Sequence, residues 1–305
     1  MRHRNDSILL RIAQGDAFAA AVEYVKRKEH PDLYEAVEKF DSYQQHPTHG
    51  KLRPGMYTDD TQMSIAVAEA LILHPDDLTN ESMAERFFQA FKRDERDGYS
   101  RGFQAILEEA RSSSHLRQLI RPDSTKNGAA MRAVPIGVIK DPKHLIQIAG
   151  MQASVTHATW GGMNSAASVA LMSHFALYDR RDFSSMHQWC CGWSEAHKNF
   201  LDPWKGPVGG KGNDPKGLGT GMNTAWAVQT LLVHESSLAG IMKRCIEWGG
   251  DTDSVAAIAW GVASARYQSE VLPEFLERDL EARGNLKYGP EYLRSLGYQL
   301  MEAYS

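Results

Sequence analysis

Apolar residues recur every three or four positions through most of the chain, the period of α-helices that turn one face to a core. Ser7 to about Tyr24 carries this pattern with many small residues, which suit close approach between helices. Residues 61–73 predict a second helix that ends near His74-Pro75, and Leu78–Arg93 a third, with Asn80 or Ser82 as its cap. Gly102–Leu119, Leu145–Thr156, Met163–Tyr178, Asn223–His234 and Ser237–Trp248 read as helices, as does the run VAAIAWGVASARY that follows Ser254. Residues 272–304 read as polar amphipathic helices. Residues 30–57, with His46-Pro47 and Arg53-Pro54-Gly55, predict a short edge hairpin or a loop placed to act as a lid. Residues 122–128 form a turn, and 201–222 a glycine- and proline-rich loop that fits neither a P-loop nor a dinucleotide fingerprint. No βαβ alternation, fixed repeat or linker composition interrupts the pattern. The expected fold is all-α, a single-domain orthogonal multi-helix bundle over residues 1–305.

Two of these helices open on unusual stretches. Tyr57-Thr58-Asp59-Asp60-Thr61 precedes one, and Trp248-Gly249-Gly250-Asp251-Thr252-Asp253-Ser254 the other. Asp, Thr and Ser are favoured N-caps, and acidic side chains suit the positive end of a helix dipole. A cap needs one side-chain oxygen, however, and these stretches bring four carboxylates and several hydroxyls. Brought together, four carboxylates repel unless a cation sits among them. Oxygen-only donors suit Mg²⁺ or Mn²⁺. Asp59 and Asp60 do not share a helical face, nor do Asp251 and Asp253, so a common site needs the irregular first turns. The pattern points to a split metal site, mononuclear or binuclear.

Composition narrows the function classes. The chain has 305 residues, 42% hydrophobic and 24% charged, with a formal net charge of −4, so bulk binding to a phosphate backbone is not indicated. Cys190, Cys191 and Cys245 give neither a zinc spacing nor a disulfide framework. The basic N-terminus has too short an apolar run for a signal peptide, and no segment has the unbroken apolar length of a membrane span. A cytoplasmic protein is expected.

Five stretches occur in order: GDAFAAAVEY, YTDDTQM, NGAAMRAVPIG, THATWGGMNSA and GGDTDSVAA. Together they resemble the ADP-ribosylglycohydrolase family across roughly residues 8–270; the TDDT and GGDTDS pair is the specific part. The resemblance implies an all-α fold around two divalent cations, Mg²⁺ or Mn²⁺, and hydrolysis of the C1″ glycosidic bond joining ADP-ribose to an acceptor. It implies metal ligands at Thr58, Asp59, Asp60, Asp251, Asp253 and Ser254. Glu23 matches an acidic residue beside the second metal and the scissile bond, and Glu23, Asp59 or Asp253 would transfer the proton. Asn127, Gly128 and Ala129 match a loop that contacts ribose and diphosphate, and His157 lines the same pocket. Gly219 and Gly221 fall where the family contacts the nucleotide. The chain departs from the family at Ala19, where glycine is common, at Ser254, where threonine is, and at Lys126, a cation where glycine often stands. Trp160 is expected to pack in the interior or to stack on a ligand.

Outside that resemblance, Glu23 reads equally as an exposed helix-end charge, residues 127–129 as an ordinary turn, and His157 as a structural histidine. The expected substrate is an ADP-ribosylated protein, with arginine favoured as acceptor, or a small-molecule ADP-ribose conjugate. An immunity protein that blocks an ADP-ribosyltransferase toxin is the alternative from another class. A metal-dependent phosphoesterase is a third and would release AMP instead.

Overall fold

The computed structural model describes residues 4–210 and 212–305; Met1, Arg2 and His3 of the basic N-terminus and Lys211 of the glycine-rich loop lie outside them. The helices are α1 (Ile8–Ala19), α2 (Pro31–Glu38), α3 (Asp59–Leu73), α4 (Asn80–Arg93), α5 (Arg101–Glu109), α6 (Ser113–Leu119), α7 (Gly128–Met131), α8 (Pro142–Ser154), α9 (Trp160–Tyr178), α10 (Met186–Cys191), α11 (Thr220–His234), α12 (Leu238–Trp248), α13 (Thr252–Ala263), α14 (Phe275–Arg278) and α15 (Pro290–Ala303). Short 3₁₀ turns join several of them. Among the described residues the only β-type pairings are two isolated bridges, so the fold is the all-α bundle the sequence predicts.

Most of α9 and all of α13 are buried, as their nearly continuous apolar sequences require. The most extensive helix contact is between α1 and α13. Small residues allow it: a Cβ on Gly15 would sit 2.7 Å from the Ala256 carbonyl oxygen, and one on Gly261 2.6 Å from Ile12 Cγ1. The close packing expected of residues 7–24 is thus a seam between the first helix and the one that opens on GGDTDS. α3 packs against α1, α4 and α15, which sets the TDDT start beside the same seam.

Four expectations need correction. Residues 31–38 form a helix, begun by Pro31 at its first turn, and no hairpin occurs among the described residues 30–57. Gly102–Leu119 is two helices, because the chain turns extended at Ala110 and restarts on the Ser112 cap. α10 lies in a stretch with no predicted helix. Trp160 neither packs inside nor stacks in the cleft: it is 55% exposed at the start of α9.

Candidate active site

The first turn of α3 is held from two sides. Asp16, fully buried on α1, accepts from Thr58 N–H at 3.0 Å, Thr61 N–H at 3.1 Å, Thr58 Oγ1 at 2.9 Å and Thr61 Oγ1 at 2.6 Å. From the other side Arg96 donates to the Tyr57 carbonyl at 2.7 Å and to Glu281 Oε1 at 2.9 Å, and Glu281 also accepts from Tyr57 N–H at 3.0 Å. Asp16 takes the Thr58 and Thr61 N–H groups and the Thr58 hydroxyl takes that of Asp60 at 3.4 Å, which leaves the Asp59 and Asp60 side chains to line the cleft.

The start of α13 is held by the glycine-rich loop. Asp251 N–H donates to the Val208 carbonyl at 2.9 Å, and a Cβ on Gly250 (φ +80°) would sit 2.2 Å from that oxygen. Only glycine fits both the backbone angle and the approach. The Asp251 carboxylate makes no capping bond to its own helix. Its Oδ2 accepts instead from Tyr24 Oη at 3.0 Å and Asn127 Nδ2 at 3.3 Å.

A cleft of about 860 Å³ opens over both helix starts, and Glu23, Asp59, Asp60, Asp251, Asp253 and Ser254 line it. Glu23, Asp251 and Asp253 each offer an oxygen within 4.8 Å of the others, a group that could hold a metal ion. Burial, and then the neighbouring carboxylates, push Glu23 up to about 8 and Asp59 up to about 7. The same causes raise Asp60 and Asp253 well above the carboxylate range. Asp60 Oδ1 is buried without a hydrogen-bond partner. A buried, unsatisfied carboxylate oxygen among like charges fits a cation-binding donor set, and an oxygen-only set suits a hard divalent ion.

The NGA and THATW stretches form one wall, joined by a bridge between Asp123 and His157. Buried Arg132 donates to Thr156 Oγ1 at 2.8 Å, and Thr156 Oγ1 lies 2.6 Å from His157 Nδ1. Arginine only donates, so the Thr156 oxygen accepts from Arg132 and links this buried guanidinium to the His157 ring. Burial, with Arg132 nearby, lowers His157 to about 3. A Cβ on Gly128 would meet His157 Cε1 at 2.8 Å, so this glycine lets the wall close on the imidazole.

Asn127, Gly128 and His157 therefore line the cleft with the carboxylates. Thr58, Ala129, Gly219 and Gly221 do not. Thr58 turns its hydroxyl to Asp16, and Ala129 gives its carbonyl to Gln152. Gly221 N–H bonds the Thr125 carbonyl at 3.2 Å and Gly219 N–H bonds Asp214, so these two glycines support the wall while Thr220 between them reaches the cleft. Asp16, Tyr24, Arg132 and Thr156 were not among the residues the sequence singled out. Asp16 and Tyr24 stood inside the quoted GDAFAAAVEY stretch, where a carboxylate between Gly15 and Ala17 was the available signal.

Fold and comparison agree on the class, a glycosidic-bond hydrolase of all-helical build. The chain belongs to the ADP-ribosylglycohydrolase family, whose profile matches residues 7–304. It is 26% identical over 276 residues to the ADP-ribosylhydrolase ARH3 of Gallus gallus, covering 74% of each chain. It is 26% identical over 281 residues to the ADP-ribosyl-dinitrogen reductase glycohydrolase of Rhodospirillum rubrum, covering 87% of this chain and 85% of that one. A solved ADP-ribosylglycohydrolase-related protein complex superposes with a TM-score of 0.73 at 20% identity, over 99% of this chain and 98% of that one, which shows the shared fold. No helix of the described residues is long and apolar enough to cross a membrane.

Proposed function

We propose that the protein is a divalent-cation-dependent hydrolase that frees ADP-ribose from modified arginine by cleaving the C1″ glycosidic bond. The observation that carries this reading is the convergence of five carboxylates on one cleft that His157 also lines. Asp59, Asp60, Asp251, Asp253 and Ser254 would hold two Mg²⁺ or Mn²⁺ ions, with Glu23 beside the second, while Thr58, its hydroxyl on Asp16, holds the α3 start in place. When bound, the ions supply charge that orients the ribose hydroxyls and makes a water more acidic.

The remaining chemistry belongs to the chain. Asn127, Gly128 and the His157 ring bind the ribose and diphosphate, supported from behind by Ala129, Gly219 and Gly221. Glu23, or else Asp59 or Asp253, accepts the proton from the attacking water as its oxygen bonds C1″ and the C1″–N bond breaks. That proton then passes to the departing guanidine. A locally negative floor favours a cationic acceptor such as guanidinium over a neutral serine.

Arginine- and serine-ADP-ribosylated peptides, incubated with Mn²⁺ and with chelator, test the reading. Free ADP-ribose from the arginine peptide, lost with chelator, is expected. AMP as the product would make the protein a phosphoesterase, and release from serine alone would overturn the acceptor.

A further inference from the structure

Asp251 is tied through a single oxygen by two distant parts of the chain. Tyr24 Oη and Asn127 Nδ2 both donate to Oδ2, while no hydrogen bond reaches Oδ1 among the described residues. The place of Tyr24 is built rather than incidental. Its φ is +50°, in the left-handed region that non-glycine residues avoid, and its N–H bonds the Gly250 carbonyl at 2.8 Å. Gly209 leaves the space that the phenol occupies: a Cβ there would sit 2.3 Å from Tyr24 Oη. A phenol is protonated at neutral pH and the carboxylate only accepts, so the hydroxyl is the donor. Backbone strain at position 24 and a bare backbone at position 209 thus serve one contact, the Tyr24–Asp251 bond.

We propose that Tyr24 is a positioning residue of the cation site. Its hydroxyl fixes Asp251 in the orientation that brings a carboxylate oxygen within 4.8 Å of Glu23 and Asp253 and leaves Oδ1 free for a cation. Outer hydrogen-bond partners of metal-binding carboxylates set ligand orientation in this way. The inference rests on reading the cluster as a divalent-cation site. It assigns to the first family-like stretch a second contribution beyond Glu23, made through Asp251.

Calorimetric titration of the full chain with Mn²⁺ tests it. Tyr24→Phe keeps the ring and removes the hydroxyl; its Mn²⁺ affinity is expected to fall about ten- to a hundredfold. Its melting temperature in chelator should stay at the wild-type value, and saturating Mn²⁺ should restore kcat. Tyr34→Phe is the control, because the Tyr34 hydroxyl donates to the Val25 carbonyl at 2.9 Å and touches no cleft carboxylate. Wild-type affinity in Tyr24→Phe, or an equal loss in Tyr34→Phe, would overturn the role of Tyr24. A wild-type chain that binds no Mn²⁺ would overturn the cation reading and this inference with it.

Discussion

Asp59 and Glu23 are carboxyls that fold against their own ionisation. Burial and mutual repulsion raise them to about 7 and 8, and burial raises Asp16 to about 6 despite the donors around it. A group whose pKa is higher folded than unfolded favours the native state most at low pH. That contribution is present below the ordinary carboxylate range and is lost as pH rises through about 6 to 8. In chelator, melting temperature is expected to fall between about pH 5 and about pH 8.5, and saturating Mn²⁺ should flatten the fall. Asp59→Asn removes one charge from the cluster. In chelator at about pH 8 it should raise the melting temperature by about 2–4 °C, while abolishing the added stability that Mn²⁺ gives. Thr156→Val tests the opposite wall. It leaves Arg132 and His157 Nδ1 without their shared partner, at a cost of about 1–3 kcal/mol in unfolding free energy, and should weaken ADP-ribose binding in a titration. The carboxylates and His157 were legible in the sequence as residue types; the Arg132–Thr156–His157 chain was not, because the arginine and the threonine meet only in the fold.

At the scale of elements, the two acidic helix starts are held by segments remote in sequence. Asp16 on α1 reinforces the Thr58 cap of α3, and Arg96 with Glu281 clamps Tyr57 from the other side. Both side chains of that ion pair are almost wholly buried. Glu281→Ala would leave a buried guanidinium with fewer partners and should cost about 3–5 kcal/mol in a denaturant titration. It should also lower Mn²⁺ affinity, since the α3 start is no longer fixed. Long apolar helices such as α3, α9, α11 and α13 were readable because their periodicity or continuous apolar character is strong. α2 was not, because it buries only Tyr34 and Val37 in an otherwise polar stretch. The Arg96–Glu281 clamp could not be read at all, since its partners lie 185 residues apart and each looks like an ordinary surface charge. The glycine-rich loop was visible as a loop, but its purpose was not: it carries Val208 to Gly250 and Gly209 to Tyr24.

The whole molecule gathers opposite charges into one cleft. Carboxylates form the floor, whereas Arg101, Arg121 and Lys126 line the cleft without a side-chain ion pair among the described residues. A substrate with an anionic diphosphate and a cationic acceptor matches both signs. Lys126 lines the cleft beside Asn127, where the proposed complex would set the diphosphate; Lys126→Ala should raise KM several-fold with little change in kcat, and reduce the salt dependence of KM. The central claim is that one cation site both binds metal and permits glycosidic cleavage. The most direct measurement is Mn²⁺ titration of metal-stripped wild type and Asp253→Ala, following metal binding and ADP-ribose release from an arginine-ADP-ribosylated peptide in the same samples. Release is expected to rise with Mn²⁺ occupancy in the wild type, and the folded Asp253→Ala variant to give neither tight binding nor release. Full release in chelator, or undiminished release by folded Asp253→Ala, would contradict it.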